Sequence, residues 1–291
     1  MGNRLSVLIV RSGVLAREFC ATRPAAEVAA VYERSLYLHA GDAFVCIGEP
    51  VVGNGPSTLI VDFTQGQAAN SACSLPPCGG GLGRGVVRPG MSAAISGQAI
   101  AVGPIVFTLD RCELWQPPAW PAVPSPDHLA QTCAALARRL AAEAPRHLPP
   151  VSKRIARFEA WLSGPRSTIE EIHGIVGLGP GLTPSGDDVL IGALAMLEAL
   201  QDRHAHDALA RAIDAIAPGR TSPLSLCFLR AAVAGHISER FHTIVSSVIT
   251  GDVDCAIATA RSIGHTSGWD MLSGVTLALR RVRARKAVTP A

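Results

Sequence analysis

Two glycine-rich segments of the chain share a pattern of hydroxyl and carboxyl residues that suits the binding of a small ligand at the start of a helix. The first reads Gly177-Leu-Gly-Pro-Gly-Leu-Thr-Pro-Ser-Gly-Asp-Asp, and the second reads Gly264-His-Thr-Ser-Gly-Trp-Asp. The pattern Ser-Gly-x-Asp-x-Leu-x-Gly occurs at residues 185–192 and again at residues 267–274. We therefore expect two equivalent helix N-termini that converge on one site.

Residues at these N-termini could bind a small anion. The first turn of a helix presents backbone N–H groups that lack partners, and the helix dipole adds positive potential. Arg220 and Thr221 precede a helix that is expected to begin at Pro223, so a guanidinium group and a further N-terminus could meet the same anion. The predicted ligand-binding residues of this group are Gly181, Thr183, Ser185, Gly186, Arg220, Thr221, Thr266, Ser267 and Gly268.

Asn54 is a further candidate ligand-binding residue and lies in the segment Gly53-Asn-Gly-Pro. Glycine, asparagine and proline each favour turn conformations. We therefore favour a turn at Asn54 and keep a role in ligand binding as the alternative.

The three aspartates of these segments, and the neighbouring His265, could have several different roles. Asp187, Asp188 and Asp270 would repel a bare phosphate but could hold Mg²⁺, which prefers carboxylates together with ligand oxygens and water. Alternatively, Asp188 and Asp270 only cap their helices. His265 could carry a proton or stabilise an oxyanion near neutral pH. The predicted catalytic residues are His265, Asp188 and Asp270, the tentative metal ligands are Asp187, Asp188 and Asp270, and no cofactor is required although Mg²⁺ is possible.

Residues 127–291 are predicted to form a helical domain built around two related buried helices. The segment from Asp188 to Leu197 is apolar on every face of a helix, which is typical of a buried helix. The repeated glycines Gly192 and Gly274 predict that the two helices cross closely. Other predicted helices span residues 127–143, 152–162, 205–217, 223–250 with a bend near Gly235, and 253–263, and a capping box at Ser167 and Glu170 predicts one more.

Residues 1–115 are predicted to form a β-rich domain, and the five prolines of residues 116–126 a stiff connection. The segment Gly79–Gly85 is interpreted as a flexible hairpin loop, because it lacks the Lys-Ser/Thr of a phosphate-binding loop. The predicted fold class is α+β, with a β-rich N-terminal domain followed by a mostly α-helical C-terminal domain. The strands expected from runs of β-branched and apolar residues are 43–47, 58–63, 99–102 and 105–109.

The composition of the 291 residues excludes several classes of function. A net charge of +3 and an aromatic content of 4% are too low for a nucleic-acid-binding surface. No apolar run reaches the roughly 20 residues of a membrane span. The eight cysteines form no C-x-x-C pair. We expect a cytoplasmic protein with reduced thiols that binds neither nucleic acid nor membranes.

The two glycine-rich segments and Gly53-Asn-Gly-Pro resemble the signature of the AllH-like family, and the resemblance extends from about Tyr32 to about Leu279. It implies a subunit of the oxamate carbamoyltransferase complex of allantoin catabolism. Such a subunit would act with two other subunits on carbamoyl phosphate, oxamate and oxalurate, which are all small anions. The Ser-x-Arg-Thr phosphate motif of aspartate and ornithine carbamoyltransferases is absent from the sequence. Their mechanism is therefore not implied.

Three functions compete on this basis. The favoured hypothesis is a carbamoyltransferase subunit that binds carbamoyl phosphate or a small carboxylate acceptor at the paired helix N-termini. The second is a magnesium-dependent hydrolase with aspartate ligands, by analogy with the ADP-ribosylglycohydrolases. The third is a non-catalytic assembly subunit, in which the repeats only pack helices together.

Overall fold

The computed structural model describes residues 5–22, 24–62, 86–145, 149–164 and 172–288. The chain divides into two units, Met1–Pro117 and Pro118–Ala291, and each unit has a hydrophobic core of its own. The first consists mainly of strands and the second of helices, which confirms the predicted α+β fold class. The division between the units falls within the proline-rich segment 116–126.

Short strands with alternating buried residues build the first unit. In β1, for example, Val7 and Ile9 are fully buried while Leu8 between them is only partly buried. A helix, α1 (Val14–Thr22), follows the first strand. The strands of the described residues are β1 (Leu5–Ser12), β2 (Ala26–Val31), β3 (Ser35–Ala40), β4 (Ala43–Gly48), β5 (Thr58–Asp62), β6 (Ser92–Ser96), β7 (Ala99–Val102), β8 (Ile105–Thr108) and β9 (Glu113–Leu114).

The strands form one sheet that closes on itself. Among the described residues the strand order is β5-β4-β3-β2-β6-β7-β8-β1-β9, and β1 also pairs with β5. Strands β1 to β8 therefore form a barrel, with β9 parallel to the end of β1. The closed ring leaves few unpaired strand edges.

Four strands, β4, β5, β7 and β8, lie where the sequence predicts them, to within one or two residues. Strands β1, β2, β3, β6 and β9 and helix α1 are not predicted. Half of the residues of β2 are alanine, which does not favour strands, so its pairing with β3 and β6 determines its conformation. The predicted loop Gly79–Gly85 lies outside the described residues.

The second unit is helical. Its core is formed mainly by aliphatic residues from all of its described helices. None of the helices in the described part of the chain combines the length and apolarity needed to cross a bilayer. The helices are α2 (Pro126–Glu143), α3 (Pro149–Ser163), α4 (Ser185–Ala199), α5 (Arg203–Ile216), α6 (Pro223–Val233), α7 (Glu239–Thr250), α8 (Val253–Arg261) and α9 (Ser267–Val288).

The single bent helix predicted over residues 223–250 is wrong, because the segment forms two helices, α6 and α7. Gly235 adopts a left-handed backbone conformation with φ +79°, which ends a helix instead of bending it. Ser238 then provides the start of α7. The predicted capping box at Ser167 and Glu170 lies outside the described residues.

Helices α4 and α9 contain the two copies of the repeated pattern and contact each other closely. A Cβ atom on Gly192 would overlap the carbonyl oxygen of Met271, and a Cβ atom on Gly274 would overlap the carbonyl oxygen of Val189. Each helix therefore presents a position without a side chain to the backbone of the other. The close crossing predicted from these glycines is confirmed.

We expect Gly192→Ala and Gly274→Ala each to lower the free energy of unfolding by about 2 kcal/mol or more, because the added methyl group forces the two backbones apart. Urea unfolding followed by circular dichroism measures this change. Gly235→Ala is the control, since a Cβ there meets no atom within 4 Å. Only backbone strain of about 1 kcal/mol is expected for it. Wild-type stability of Gly192→Ala would contradict the close crossing.

Candidate functional site

The loop that leads into α4 is folded tightly against the first turn of the helix. Gly177 has a φ of +71°, and a Cβ on it would overlap the carbonyl oxygen of Arg220, so only glycine fits there. The backbone N–H of Gly186 donates to the carbonyl oxygen of Leu178 at 2.8 Å. These contacts hold the loop in place and bring the segment around Arg220 against it.

The carboxyl group of Asp187 joins three segments of the chain. Its Oδ1 accepts a hydrogen bond from the backbone N–H of Gly177 at 2.8 Å. Its Oδ2 accepts hydrogen bonds from the hydroxyl groups of Ser225, at 2.6 Å, and of Thr221. Asp187 is fully buried and thus fixes the loop, the first turn of α4 and the start of α6 relative to one another.

The role of the three aspartates as magnesium ligands, considered from the sequence, stays a prediction. Within the described ranges, no group of three or more His, Cys, Asp or Glu side chains is arranged to hold a metal ion. Both oxygens of Asp187 already accept hydrogen bonds from protein donors. We therefore assign Asp187 a structural role.

The start of α6 lies against the same loop. Ser222 caps the helix by accepting a hydrogen bond from the N–H of Ser225, and its hydroxyl donates to the carbonyl oxygen of Leu182. The exposed guanidinium of Arg220 contacts the Nε2 of His173 at 2.8 Å and donates to the His173 carbonyl oxygen at 3.2 Å. His173, Ser222 and Ser225 are absent from the predicted residues. The Ser222-Pro223 pair, a typical helix start, is the signal that could have identified Ser222.

The two repeated N-termini meet through their hydroxyl groups. Thr183 Oγ1, before α4, lies 3.3 Å from Ser267 Oγ, at the start of α9. Ser267 also donates a hydrogen bond to the carboxyl group of Asp188. The starts of α4 and α9 are therefore adjacent, as the repeated pattern predicts.

Asp188 and Asp270 are both buried, and Asp188 does not occupy the N-cap position of its helix. The N-cap position of α4 is Pro184, and Asp188 bonds to Ser267 of the other helix. Asp188 is 3% exposed and Asp270 is fully buried. Among the described residues, Asp188 Oδ2 has no hydrogen-bond partner.

The surroundings of Asp188 favour its neutral form. Burial is the main cause that raises the pKa of Asp188 to about 8. The hydrogen bond from Ser267 lowers this pKa, whereas the neighbouring carboxyl groups of Asp270 and Asp187 raise it further. Asp188 is therefore mostly protonated at neutral pH. The negative charge at the paired N-termini is smaller than the count of carboxyl groups indicates.

The hydroxyl groups predicted to bind a ligand are accessible, because Thr183, Ser185, Thr266 and Ser267 are all partly exposed. His265 is exposed in the turn before α9. Gly181, predicted as a ligand contact, is also exposed in the loop before α4. The roles of these groups in ligand binding or catalysis stay predictions.

Gly186 and Gly268, predicted to offer backbone N–H groups to a ligand, use them within the protein. Gly186 donates to the loop before α4, and Gly268 donates to the carbonyl oxygen of Ile263 at 3.1 Å. A Cβ on Gly268 would overlap the carbonyl oxygen of Ala260. In this structure both glycines allow close backbone contact, and their N–H groups already donate to carbonyl oxygens of the protein.

Asn54 belongs to the other unit of the chain. It is buried after the 3-10 turn Pro50–Val52, between Gly53, with a φ of +84°, and Gly55. The turns of this segment lie on either side of Asn54, at Pro50–Val52 and at residues 56–57, so the structure shows no turn at Asn54 itself. A role of Asn54 in ligand binding stays a prediction.

We expect Asp187→Asn to lower the free energy of unfolding by about 2–3 kcal/mol, because the amide nitrogen of asparagine cannot accept the hydrogen bonds that a carboxyl oxygen accepts. Thermal unfolding of the purified chain measures the change. Asp214→Asn, on the exposed surface of α5, is the matched control and should leave stability unchanged. Equal stability of the two variants would argue against a structural role for Asp187.

The raised pKa of Asp188 makes stability depend on pH. The folded chain holds a proton that the unfolded chain, with an ordinary pKa of 3.8, has released. This group therefore destabilises the fold increasingly as the pH rises from about 4 to about 8. In Asp188→Asn the side chain stays neutral, so the unfolding midpoint should fall less than that of the wild type between pH 5 and pH 9. Parallel pH profiles would contradict this assignment.

A family model described as oxamate carbamoyltransferase subunit AllH matches residues 175–279. The match starts just before Gly177 and ends within α9, so it contains both glycine-rich segments and the Arg220 segment. No solved structure matches the chain. The part of the chain that carries the candidate site is thus similar to the AllH subunit of oxamate carbamoyltransferase, which confirms the resemblance predicted from the two glycine-rich segments. The resemblance predicted from about Tyr32 onwards, with Gly53-Asn-Gly-Pro, lies outside the matched residues.

Proposed function

We propose that this chain is a subunit of a carbamoyltransferase of the oxamate carbamoyltransferase type, and that it binds a small anionic substrate at the paired starts of α4 and α9. The family match supports the association with a carbamoyltransferase. The observation that carries the binding site is the 3.3 Å contact between Thr183 Oγ1 and Ser267 Oγ, which places hydroxyl groups from both N-termini side by side. A subunit implies other chains, which would complete the enzyme.

Several features favour an anion at this position. Two helix N-termini contribute positive potential, and that potential is strongest within the first turn. Thr183, Ser185 and Thr266 offer partly exposed hydroxyl donors. The protonated state of Asp188 reduces the repulsion that a buried carboxylate would exert on phosphate or carboxylate oxygens. Carbamoyl phosphate and oxamate both carry such oxygens.

The proposed reaction requires positioning more than covalent catalysis. The amide nitrogen of oxamate attacks the carbamoyl carbon, the bond from that carbon to the phosphate oxygen breaks, and phosphate leaves with the electron pair. The attacking nitrogen loses a proton, for which the exposed His265 is the proposed acceptor. Hydroxyl donors that hold the phosphate or carboxylate oxygens would orient the two substrates and stabilise the leaving group.

The magnesium-dependent hydrolase is not favoured, because the donor set does not fit it. The hydrogen bonds of Asp187 occupy both of its oxygens, and among the described residues no group of three or more His, Cys, Asp or Glu side chains is arranged to hold a metal ion. A non-catalytic assembly subunit would respond differently to substitutions at the N-termini. Removal of a hydroxyl group there would change the stability of the chain but not its affinity for an anion.

Calorimetric titration of the purified chain with carbamoyl phosphate, oxamate and phosphate tests the proposal. We expect saturable binding that weakens about tenfold in Ser185→Ala and in Thr266→Val, because each change removes a hydrogen bond to a charged ligand. Ser163→Ala, exposed at the end of α3, is the matched control and should bind as the wild type does. Wild-type affinity in Ser185→Ala, or no saturable binding of any of the three anions, would contradict the proposal.

A further inference from the structure

Two arginine side chains from different segments of the helical unit approach the same peptide, which joins His173 to Gly174. Arg220, just before α6, donates from one terminal nitrogen to the carbonyl oxygen of His173 at 3.2 Å. Arg154 belongs to α3, and a Cβ atom on Gly174 would lie 2.5 Å from its Nη1 and 3.0 Å from its Cζ. Standard bond lengths then place the terminal nitrogens of the two guanidinium groups within about 10 Å of each other.

The guanidinium of Arg220 is oriented by His173 and is open to solvent. Its other terminal nitrogen lies 2.8 Å from His173 Nε2, so both ends of the guanidinium contact the same residue. An arginine has five N–H donors, of which these two contacts use two. Arg220 and His173 are both exposed, so a ligand in solution can reach the three donors that remain.

The guanidinium of Arg154 occupies the space that the missing side chain of Gly174 leaves free. Any larger residue at this position would push the guanidinium away. Arg154 is partly exposed, so this group is also accessible. Glu159, the acidic residue of α3, pairs with Arg280 instead. Among the described residues, no carboxyl group forms an ion pair with either Arg154 or Arg220.

The charges at this place favour a ligand with two negative charges. The separation of the two guanidinium groups is close to the Debye length at physiological salt, so they repel each other. The start of α6, which follows Arg220, adds the positive potential of a helix N-terminus. The oxygens of Asp187 accept from Gly177, Thr221 and Ser225 and do not bind the guanidinium of Arg220. A dianion would neutralise both arginines, whereas a monocarboxylate would neutralise only one.

We propose that Arg154 and Arg220 together bind a phosphate group, either as the free dianion or as the monoester of a small molecule. Guanidinium groups suit this ligand, because their fixed pairs of N–H donors match the geometry of phosphate oxygens. The site goes beyond the proposed carbamoyltransferase function and uses none of the hydroxyl groups at the paired starts of α4 and α9. It can therefore bind phosphate whether or not those hydroxyl groups bind a substrate.

Titration of the ¹⁵N-labelled chain with inorganic phosphate and with methyl phosphate, followed by NMR at about pH 8, tests the site. Both compounds are mostly dianions at this pH. We expect saturable shifts of the backbone amides of His173 and Gly174. Acetate, with one charge, should bind at least about fivefold more weakly at the same ionic strength. Binding of methyl phosphate would show that a monoester fits, whereas binding of inorganic phosphate alone would restrict the site to the free ion.

Arg154→Gln and Arg220→Gln should each weaken the binding of phosphate at least about threefold, because each change removes a charged donor group. Both side chains reach the surface, so these variants should fold as the wild type does. Arg138→Gln, exposed on α2, is the matched control and should bind normally. The absence of saturable shifts with both phosphate compounds, equal affinity for acetate, or wild-type affinity in Arg154→Gln would each overturn the proposal.

Discussion

The candidate anion site depends on the crossing of α4 and α9, which requires two positions without side chains. At Gly192 and Gly274 the backbone of one helix lies against a carbonyl oxygen of the other. A larger residue at either position would separate the helices and move their N-termini apart. The contact between Thr183 and Ser267 exists because the crossing fixes both helices a few residues further along.

The three aspartates near this crossing have different roles because their surroundings differ. Asp187 accepts three hydrogen bonds and holds the loop and the start of α6 in place. Asp188 is also buried but accepts a hydrogen bond from Ser267 and lies near two other carboxyl groups, so its neutral form is favoured. Burial of one neutral acid costs less than burial of a further charge, and a neutral Asp188 would repel the proposed anion less than a carboxylate would.

The sequence predicts those features that depend on residue type and spacing. The repeat identifies the paired N-termini, and the glycines at 192 and 274 identify the crossing, since both are local patterns that a single chain displays. The hydrogen bonds of Asp187 are not predictable in this way, because its partners at Gly177, Thr221 and Ser225 are brought together only by the fold. The break between α6 and α7 is likewise not predictable, because it depends on the positive φ of Gly235. The residues around Gly235 favour helix and give no sign of this angle.

The glycine contacts between α4 and α9 are reciprocal, since Gly192 meets Met271 and Gly274 meets Val189, which occupy equivalent positions of the two copies. The helix pair thus has a local twofold axis, and the equivalent groups Ser185 and Ser267 lie on opposite sides of it. A symmetric ion such as phosphate could bind on this axis in two equivalent ways. Carbamoyl phosphate, a proposed ligand, has no such symmetry, so a single orientation would require groups that one copy has and the other lacks. The two copies do differ in sequence, since Asp187 in α4 corresponds to Trp269 in α9.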